Sequence, residues 1–147
     1  MYPRAKALGI IMSDNKILLE ELNGEHSKGM GLYYRPIGGS IEYGEKSDET
    51  IIREYKEEIG AEIEIISYIS CLENIFTIGL NVGHEIIQIY FVKFKETTLY
   101  KHESFKIIEG SKVTYAKWIP LKDIFERNKI LYPNGLKELL QSLLSSD

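Results

Sequence analysis

The chain has 147 residues, which is enough for one domain, residues 1–147, with a single hydrophobic core. Its net charge of −4 excludes a general basic field, so duplex nucleic acid is not an expected partner. No apolar run approaches the ~20 residues that cross a bilayer, so no membrane association is expected. A lone cysteine, Cys71, is predicted to be a buried small apolar residue, and with no signal peptide recognised the expected location is the cytoplasm.

The first forty residues alternate between apolar runs and turn residues. This pattern predicts a β-hairpin that opens the chain, then a glycine-containing loop, then a short strand that ends at a Gly-Gly pair. The predicted segments are strands at 5–12 and 16–22 around a turn at Asp14-Asn15, a loop at 23–31, and a strand at 33–37 before Gly38-Gly39. Because two adjacent glycines tolerate unusual backbone angles, the chain can pass close to a ligand there.

The next segment has helical periodicity. Ser47 is a suitable N-cap and Gly60 a suitable C-terminal stop, so a helix is predicted between them. The apolar positions that recur along this segment predict one buried face, formed by Ile51, Ile52, Tyr55 and Ile59.

Strands are predicted again in the second half, followed by helices. The predicted strands are 61–70, 85–94 and 112–119, the first two joined by a region that contains Gly79 and Gly83. A short helix is expected from Leu121, and a last helix from 134 or 135 to about 144, with an apolar stripe of Leu136, Leu139, Leu140 and Leu143. The order of elements predicts the α/β class, an α/β/α sandwich around a mixed β-sheet.

Three glutamates on the first predicted helix form the most informative pattern. Glu54, Glu57 and Glu58 stand at i, i+3 and i+4, so a helix gathers their carboxylates on one side. A solvated face with ordinary surface ion pairs is the commoner explanation of such a pattern. Crowded carboxylates also suit Mg²⁺ or Mn²⁺, which prefer hard oxygen ligands and share their coordination with substrate phosphates.

A longer motif decides between these two interpretations. Gly39, five residues, Glu45, seven residues and then the segment 53–61, Arg-Glu-Tyr-Lys-Glu-Glu-Ile-Gly-Ala, together resemble the signature of the Nudix hydrolases. All seven fixed Gly, Glu and Arg positions match within Gly39 to Ala61. Tyr55 and Ala61 stand where the family prefers aliphatic residues, and Arg35-Pro36-Ile37 replaces the more usual Leu-Pro before the two glycines.

The resemblance implies an activity and a set of residue roles. Family members hydrolyse a nucleoside diphosphate linked to a second group, usually with Mg²⁺ or Mn²⁺. By position, Glu57 and Glu58 would be the chief metal ligands, and the main-chain carbonyl of Gly39 and either Glu54 or Glu45 would complete the site. Arg53 would hold the glutamates by charge-assisted hydrogen bonds.

The general base is open between two carboxylates. Glu54 belongs to the signature itself. Some family members take the base from a distant loop or strand, and Glu85 begins an apolar strand after a glycine-containing loop. His84 beside it is interpreted as an ordinary loop histidine.

Aromatic and cationic residues outside the signature are candidates for substrate binding. Tyr33, Tyr34, Phe76 or Tyr90 could stack on a base, with Tyr34 retained as the candidate, and Arg35 could contact a phosphate.

The leading functional hypothesis is a hydrolase of a small-molecule nucleoside diphosphate derivative, as a monomer or homodimer. A non-catalytic Nudix-like nucleotide sensor is the alternative, and an isopentenyl diphosphate isomerase reaction finds no supporting constellation. No histidine lies in the context of a nucleophilic triad.

Overall fold

The structure is a computed structural model that describes residues 2–145. It contains nine strands, three α-helices and one 3₁₀ helix within these residues. In chain order they are β1 (Arg4–Ile10), β2 (Met12–Ser13), β3 (Lys16–His26), β4 (Gly29–Arg35), β5 (Ile37–Ser40), α1 (Ser47–Ile59), β6 (Ile63–Ile78), β7 (Asn81–Phe94), the 3₁₀ helix Thr97–Lys101, β8 (Ser104–Glu109), β9 (Lys112–Pro120), α2 (Leu121–Phe125) and α3 (Leu136–Leu144).

The strands form two sheets, of which the first is mixed, as predicted for the sandwich. The first has the order β5-β1-β7-β6, in which β1 runs parallel to β7 and antiparallel to β5. The second is antiparallel, with the order β2-β3-β9-β8 and with β4 paired to β3. The predicted opening hairpin survives only as two residues of β2 paired with β3 around Asp14-Asn15, because β1 itself pairs in the other sheet.

Helices cover both sides of this pair of sheets, as an α/β/α sandwich requires. On one side Ile51 and Tyr55 of α1 pack into a core that includes Ala7 of β1. On the other side Leu136 and Leu140 of α3 pack into a second core. Successive residues of one strand therefore face opposite helices, since side chains alternate along a strand.

The helix that carries the acidic signature is capped differently from the prediction. Lys46 is the N-cap, and its backbone N–H donates to Glu49 Oε1 at 2.8 Å in a capping box. Ser47 is the first helical residue, and its hydroxyl contacts the hydroxyl of Tyr90 at 2.6 Å instead. Gly60 ends the helix with the left-handed conformation predicted for it.

The buried face of α1 is also narrower than predicted. Ile51 and Tyr55 are fully buried, and the Tyr55 hydroxyl donates to the carbonyl of Gly9 at 2.7 Å. Ile52 is 43% exposed, because a step of one residue rotates it about 100° from Ile51 and away from the sheets. Arg53, Glu54, Glu57 and Glu58 are not among the hydrophobic core residues that α1 contributes.

The Gly-Gly pair lies inside β5, where it lets two strands approach. Neither glycine has a positive φ. A Cβ atom at Gly38 would lie 2.1 Å from the carbonyl oxygen of Ala7 in β1. The sequence prediction of unusual backbone angles is therefore wrong, and the close approach of the backbone is the reason that glycine is needed.

Two predicted connections prove to be hairpins. The predicted loop at 23–31 is the end of β3 and the start of β4, paired from Glu20↔Arg35 to His26↔Gly29. The predicted region around Gly79 and Gly83 contains a tight turn at Gly79-Leu80 between β6 and β7, and Gly83 already lies in β7, paired with Phe76 and under its ring. Glycine is depleted in strands, so the glycines that pair within these hairpins suggested loops in the sequence.

Two further features concern the surface. Cys71 is exposed on β6, so its prediction as a buried residue is wrong; β6 is an edge strand with one neighbour. Within residues 2–145, the structure contains no helix that is long and apolar enough to cross a membrane.

Candidate active site

Arg53 is the centre of the acidic cluster on α1. Its guanidinium donates from Nε to Glu45 Oε2 at 2.8 Å and from Nη2 to Glu45 Oε1 at 3.0 Å, a bidentate pair. Its Nη1 donates to Glu54 Oε1 at 3.0 Å and to Glu57 Oε2 at 3.2 Å. Nη2 also donates to the carbonyl of Ser40 at 3.1 Å, which ties α1 to the end of β5. One arginine thus fixes three carboxylates beside the Gly-Gly segment, as the resemblance implied.

Glu45 acts as a support for Arg53. Besides the guanidinium, its carboxylate accepts hydrogen bonds from the Thr50 hydroxyl at 2.6 Å and the Glu42 backbone N–H at 3.1 Å. The hydrogen bond from Arg53, together with that from Thr50, lowers the pKa of Glu45 to about 2. Because both oxygens of the Glu45 carboxylate already accept hydrogen bonds from these donors, Glu45 is better suited to orient Arg53 than to bind a metal ion.

Glu54 lies directly over Gly39. A Cβ atom at residue 39 would be 2.6 Å from Glu54 Oε1, so only glycine leaves room for this carboxylate. Burial raises the pKa of Glu54 above its ordinary value, and Arg53 opposes that rise. The helix and β5 therefore place a half-buried carboxylate against the main chain at Gly39.

Glu58 occupies the most unusual position of the cluster. Its Oε2 is buried and, among residues 2–145, has no hydrogen-bond partner. Burial, followed by the charges of Glu20 and Glu54, raises the pKa of Glu58 to about 8. Glu20, 3% exposed on β3, is itself held by Thr114 at 2.6 Å and by Arg35 at 3.4 Å. An acidic oxygen buried beside other carboxylates favours a cation at this point.

The oxygen donors of the acidic cluster suit a hard divalent metal ion, although their side chains do not converge on one point in the observed conformation. Within residues 2–145, no three His, Cys, Asp or Glu side chains are placed so that they could hold a metal ion. Glu57 is 60% exposed, so it can change rotamer without disturbing the core. Oxygen-only donors, among them the unpaired Glu58 Oε2 and the Glu54 carboxylate that lies against Gly39, are the ligand type that Mg²⁺ or Mn²⁺ prefers.

A cavity of about 160 Å³ lies between the two sheets, and Arg35 belongs both to this cavity and to the acidic cluster. Arg35 lines the cavity, pairs with Glu20 and lowers the pKa of Glu58 by its charge. Lys6 and Glu85 line it as well, joined by an ion pair of 3.2 Å. The cavity thus offers two cations next to an acidic cluster, a combination suited to a phosphorylated ligand.

Only some of the residues predicted to bind substrate or to act in catalysis line the cavity. Arg35 and Glu85 reach the cavity, but Tyr34 does not: it is 2% exposed and packs in the second core, and its hydroxyl donates to Glu21 at 2.9 Å. Tyr34 therefore does not fit the predicted stacking role, because strand alternation turns it inward. Tyr33, its neighbour on β4, lines the cavity instead.

Sequence reasoning missed several residues of the cavity and cluster. These are Lys6, Glu20, His26, Tyr132 and Asn134. They come from three distant parts of the chain, and no local spacing connects those parts. Alternation along β3 could have placed Glu20 on the same face as Leu18, which is a core face, and a glutamate there is a signal of a functional role.

Because Oε2 of the Glu58 carboxylate is buried without a partner within residues 2–145, we expect this carboxylate to lower the thermal stability of the protein measurably when no metal is bound. In EDTA, we expect Glu58→Gln to unfold at a higher temperature than the wild type at pH 8, because a neutral amide is less costly to bury than a charge. Since the folded-state pKa is raised, the wild type loses stability as pH rises from about 4.5 to 8. The difference between the two proteins should therefore shrink toward pH 6.

Thermal melts followed by circular dichroism measure this prediction, with the exposed Glu57→Gln as the matched control. Added Mg²⁺ should raise the wild-type melting temperature and should raise that of Glu58→Gln less. A wild type that is the more stable protein in EDTA at pH 8 contradicts the assignment of Glu58.

The fold and the acidic cluster together define a class of protein. An α/β/α sandwich that holds a carboxylate-rich helix against a Gly-Gly strand, next to a cavity with two cations, is suited to the hydrolysis of phosphate anhydrides. A family model described as the NUDIX domain matches residues 3–143. The chain therefore belongs to the Nudix family, and it is a Nudix-type pyrophosphohydrolase. Nudix hydrolases generally use a divalent metal ion.

Solved structures with the same fold carry related names. A MutT NUDIX hydrolase from Burkholderia pseudomallei is 19% identical, with a TM-score of 0.69 over 96% of this chain and 98% of that one. An ADP-ribose pyrophosphatase from Streptococcus suis is 18% identical, with a TM-score of 0.61 over 99% and 92%. A UDP-X diphosphatase is 16% identical, with a TM-score of 0.64 over 100% and 66%. At these identities the likeness establishes the fold. No curated protein matches the chain.

Proposed function

We propose that this protein uses Mg²⁺ or Mn²⁺ to hydrolyse the diphosphate linkage of a nucleoside diphosphate derivative. The substrate class includes nucleotide sugars, ADP-ribose-like compounds, dinucleotides and nucleoside triphosphates. The observation that carries the proposal is the position of Arg35, which lies between the acidic cluster and the cavity. The names of the ADP-ribose pyrophosphatase and the UDP-X diphosphatase with this fold are consistent with the class.

The metal ligands that we propose are Glu57, Glu58, the main-chain carbonyl of Gly39, and Glu54. Glu54 is preferred to Glu45 because Glu54 lies over Gly39, whereas Glu45 is occupied by Arg53 and Thr50. When bound, the metal ion neutralises phosphate oxygens and lowers the pKa of a water molecule.

The other residues orient and neutralise the substrate. Arg53 holds Glu54 and Glu57 in place through a single nitrogen atom, so it is a positioning residue. Arg35 and Lys6 provide positive charge for the diphosphate. The proton of the attacking water is accepted by Glu54, which lies in the cluster, or by Glu85, which lies in the cavity beside Lys6.

The cellular context is proposed with the activity. We propose a cytoplasmic enzyme that acts on small molecules as a monomer or homodimer and does not bind duplex nucleic acid or membranes. A non-catalytic sensor remains the alternative function, and it would bind the same nucleotides without turnover.

A panel of nucleotide derivatives tests the proposal. The purified protein is incubated with nucleotide sugars, ADP-ribose, dinucleotides and nucleoside triphosphates in Mg²⁺, Mn²⁺ or excess EDTA, and the products are separated by chromatography. We expect metal-dependent release of two phosphate-bearing products from at least one class, and none in EDTA. Binding without turnover in either metal would favour the sensor, and turnover in EDTA would contradict the metal-dependent mechanism.

A further inference from the structure

Two buried polar atoms at one end of the cavity have no hydrogen-bond partner within residues 2–145. They are His26 Nε2 and Asn134 Oδ1, and both residues line the cavity. His26 is only 5% exposed, so water cannot readily satisfy its ring nitrogen. A buried polar atom without a partner costs roughly 1–3 kcal/mol, and such atoms are rare in folded proteins. Two in one cavity point to a ligand that completes them.

The hydrogen bonds around His26 fix which ring nitrogen carries the proton. The backbone N–H of Lys28 donates to His26 Nδ1 at 3.2 Å. The Tyr132 hydroxyl accepts from the Ser27 hydroxyl at 2.7 Å and from the Lys28 N–H at 3.1 Å, and it lies 3.0 Å from Nδ1. Tyr132 therefore donates its own proton to Nδ1. Because Nδ1 accepts, the neutral ring has its proton on Nε2, and the unpaired atom is a donor.

The lining of the cavity is rich in aromatic and apolar side chains, which suit a flat ring. His26, Tyr33 and Tyr132 form an aromatic cluster with centroids 5.1 to 5.7 Å apart. Phe76 and the apolar side chains of Leu8 and Ile87 contribute further walls. A cavity of about 160 Å³ holds roughly one ring system rather than a whole nucleotide. The rest of the ligand must then extend outward.

The polar residues show which part of the ligand extends. Arg35 and Lys6 line the same cavity, and Arg35 connects it to the acidic cluster. A ring placed at His26 thus leaves its attached phosphates in the direction of these cations. The same cavity therefore offers hydrogen-bonding groups for a ring and cations for the phosphates attached to it.

We propose that His26 and Asn134 are the specificity-determining pair that recognises the heterocyclic base, with His26 donating from Nε2–H to a base acceptor and Asn134 accepting from a neighbouring base N–H. Nucleobases carry such an acceptor and donor side by side, whereas a sugar ring presents hydroxyls and no flat face. This inference deepens the proposed function and rests on it for the identity of the ligand class. Tyr132 is a positioning residue, since it acts through the His26 ring.

Binding without metal tests the inference separately from hydrolysis. Uridine, cytidine, adenosine and guanosine 5′-monophosphates are titrated into the protein in EDTA by calorimetry, with ribose 5-phosphate as the base-free comparison. We expect at least one nucleotide to bind about tenfold or more tightly than ribose 5-phosphate. Equal affinity for all five ligands would overturn the inference, whether or not the protein hydrolyses a diphosphate.

Variants locate the effect on the two residues. His26→Phe and Asn134→Leu should each weaken binding of the preferred nucleotide about tenfold and leave the affinity for ribose 5-phosphate unchanged. His102→Phe, which replaces an exposed histidine stacked on Phe105, is the matched control and should bind as the wild type does. Circular dichroism checks each fold, and Asn134→Leu carries the test if His26→Phe does not fold. Full affinity in folded variants of both residues would overturn the assignment.

The protonation of the His26 ring gives a readout that a merely structural role would not change. Long-range ¹H–¹⁵N spectra of the metal-free protein should show His26 with a protonated Nε2 and a bare Nδ1. The preferred nucleotide should shift the Nε2 signal, and Tyr132→Phe should change the tautomer population. A proton on Nδ1 in the wild type, or an Nε2 signal that does not respond to the nucleotide, would contradict the proposed donor.

Discussion

Glu57→Gln is expected to lower turnover by on the order of 10³-fold while leaving the free energy of unfolding nearly unchanged, because a metal ion contributes several kcal/mol to such reactions and a neutral amide binds Mg²⁺ poorly. Glu57 is exposed, and the ion pair that its carboxylate forms within residues 2–145 is with Arg53 at 3.2 Å. Such a pair is worth little at the surface. Steady-state kinetics and urea unfolding measure the two quantities.

A surface glutamate provides the control for this variant. Glu64 is exposed on β6, and its ion pair at 3.6 Å is with Lys93 rather than with Arg53. Glu64→Gln removes the same charge from a comparable pair and should retain full turnover. Near-normal turnover by Glu57→Gln, or a loss in Glu64→Gln of the same size, would contradict the role of Glu57.

The second large effect on turnover is expected when the general base is replaced. If Glu85 accepts the proton, Glu85→Gln should lower kcat by roughly 10²–10⁴-fold with little change in KM. If Glu54 accepts it, Glu54→Gln should show that loss and Glu85→Gln should not. Pre-steady-state measurements of the chemical step separate these outcomes from slow product release.

Lys6 makes the test of Glu85 sharper. Glu85 is paired with Lys6 at 3.2 Å, so its removal also leaves a cation unpaired in the cavity. The double variant Lys6→Met with Glu85→Gln removes both charges. Because Lys6 is also proposed to neutralise the diphosphate, the reference for the double variant is Lys6→Met alone. If Glu85 only compensates Lys6, the double variant should turn over as fast as Lys6→Met; if Glu85 is the base, it should remain as slow as Glu85→Gln. A double variant as fast as Lys6→Met would eliminate Glu85 as the base.

The part of the site that could be predicted from the sequence is the part that is local in the chain. Glu54 and Glu57 contact the same nitrogen of Arg53 because helical spacing places them together. Gly60 ends the helix as predicted because a left-handed C-cap depends on one residue. The Gly39 contact with Glu54 also follows from the motif, although its physical reason is space rather than backbone angle.

The part that could not be predicted depends on contacts between distant segments. The charge of Glu20 raises the pKa of Glu58. His26 forms a hydrogen bond with Tyr132, which is more than a hundred residues away in the chain. Tyr34 and Tyr33 are indistinguishable in the sequence, and only the register of β3 with β4 turns one into the core and the other to the cavity. The sequence alone predicts that side chains of β4 alternate between two faces, but it does not show which of the two faces is turned to the core.

Hydrolysis in ¹⁸O-labelled water tests the central claim most directly. The acidic cluster beside Arg35 and Lys6 would hold charged phosphate oxygens, and no residue set within 2–145 suggests attack at a sugar carbon. Mass spectrometry of the products from a dinucleotide substrate should therefore find one ¹⁸O atom on one of the two phosphate-bearing products. Label on a sugar hydroxyl or on a released base would contradict attack at phosphorus.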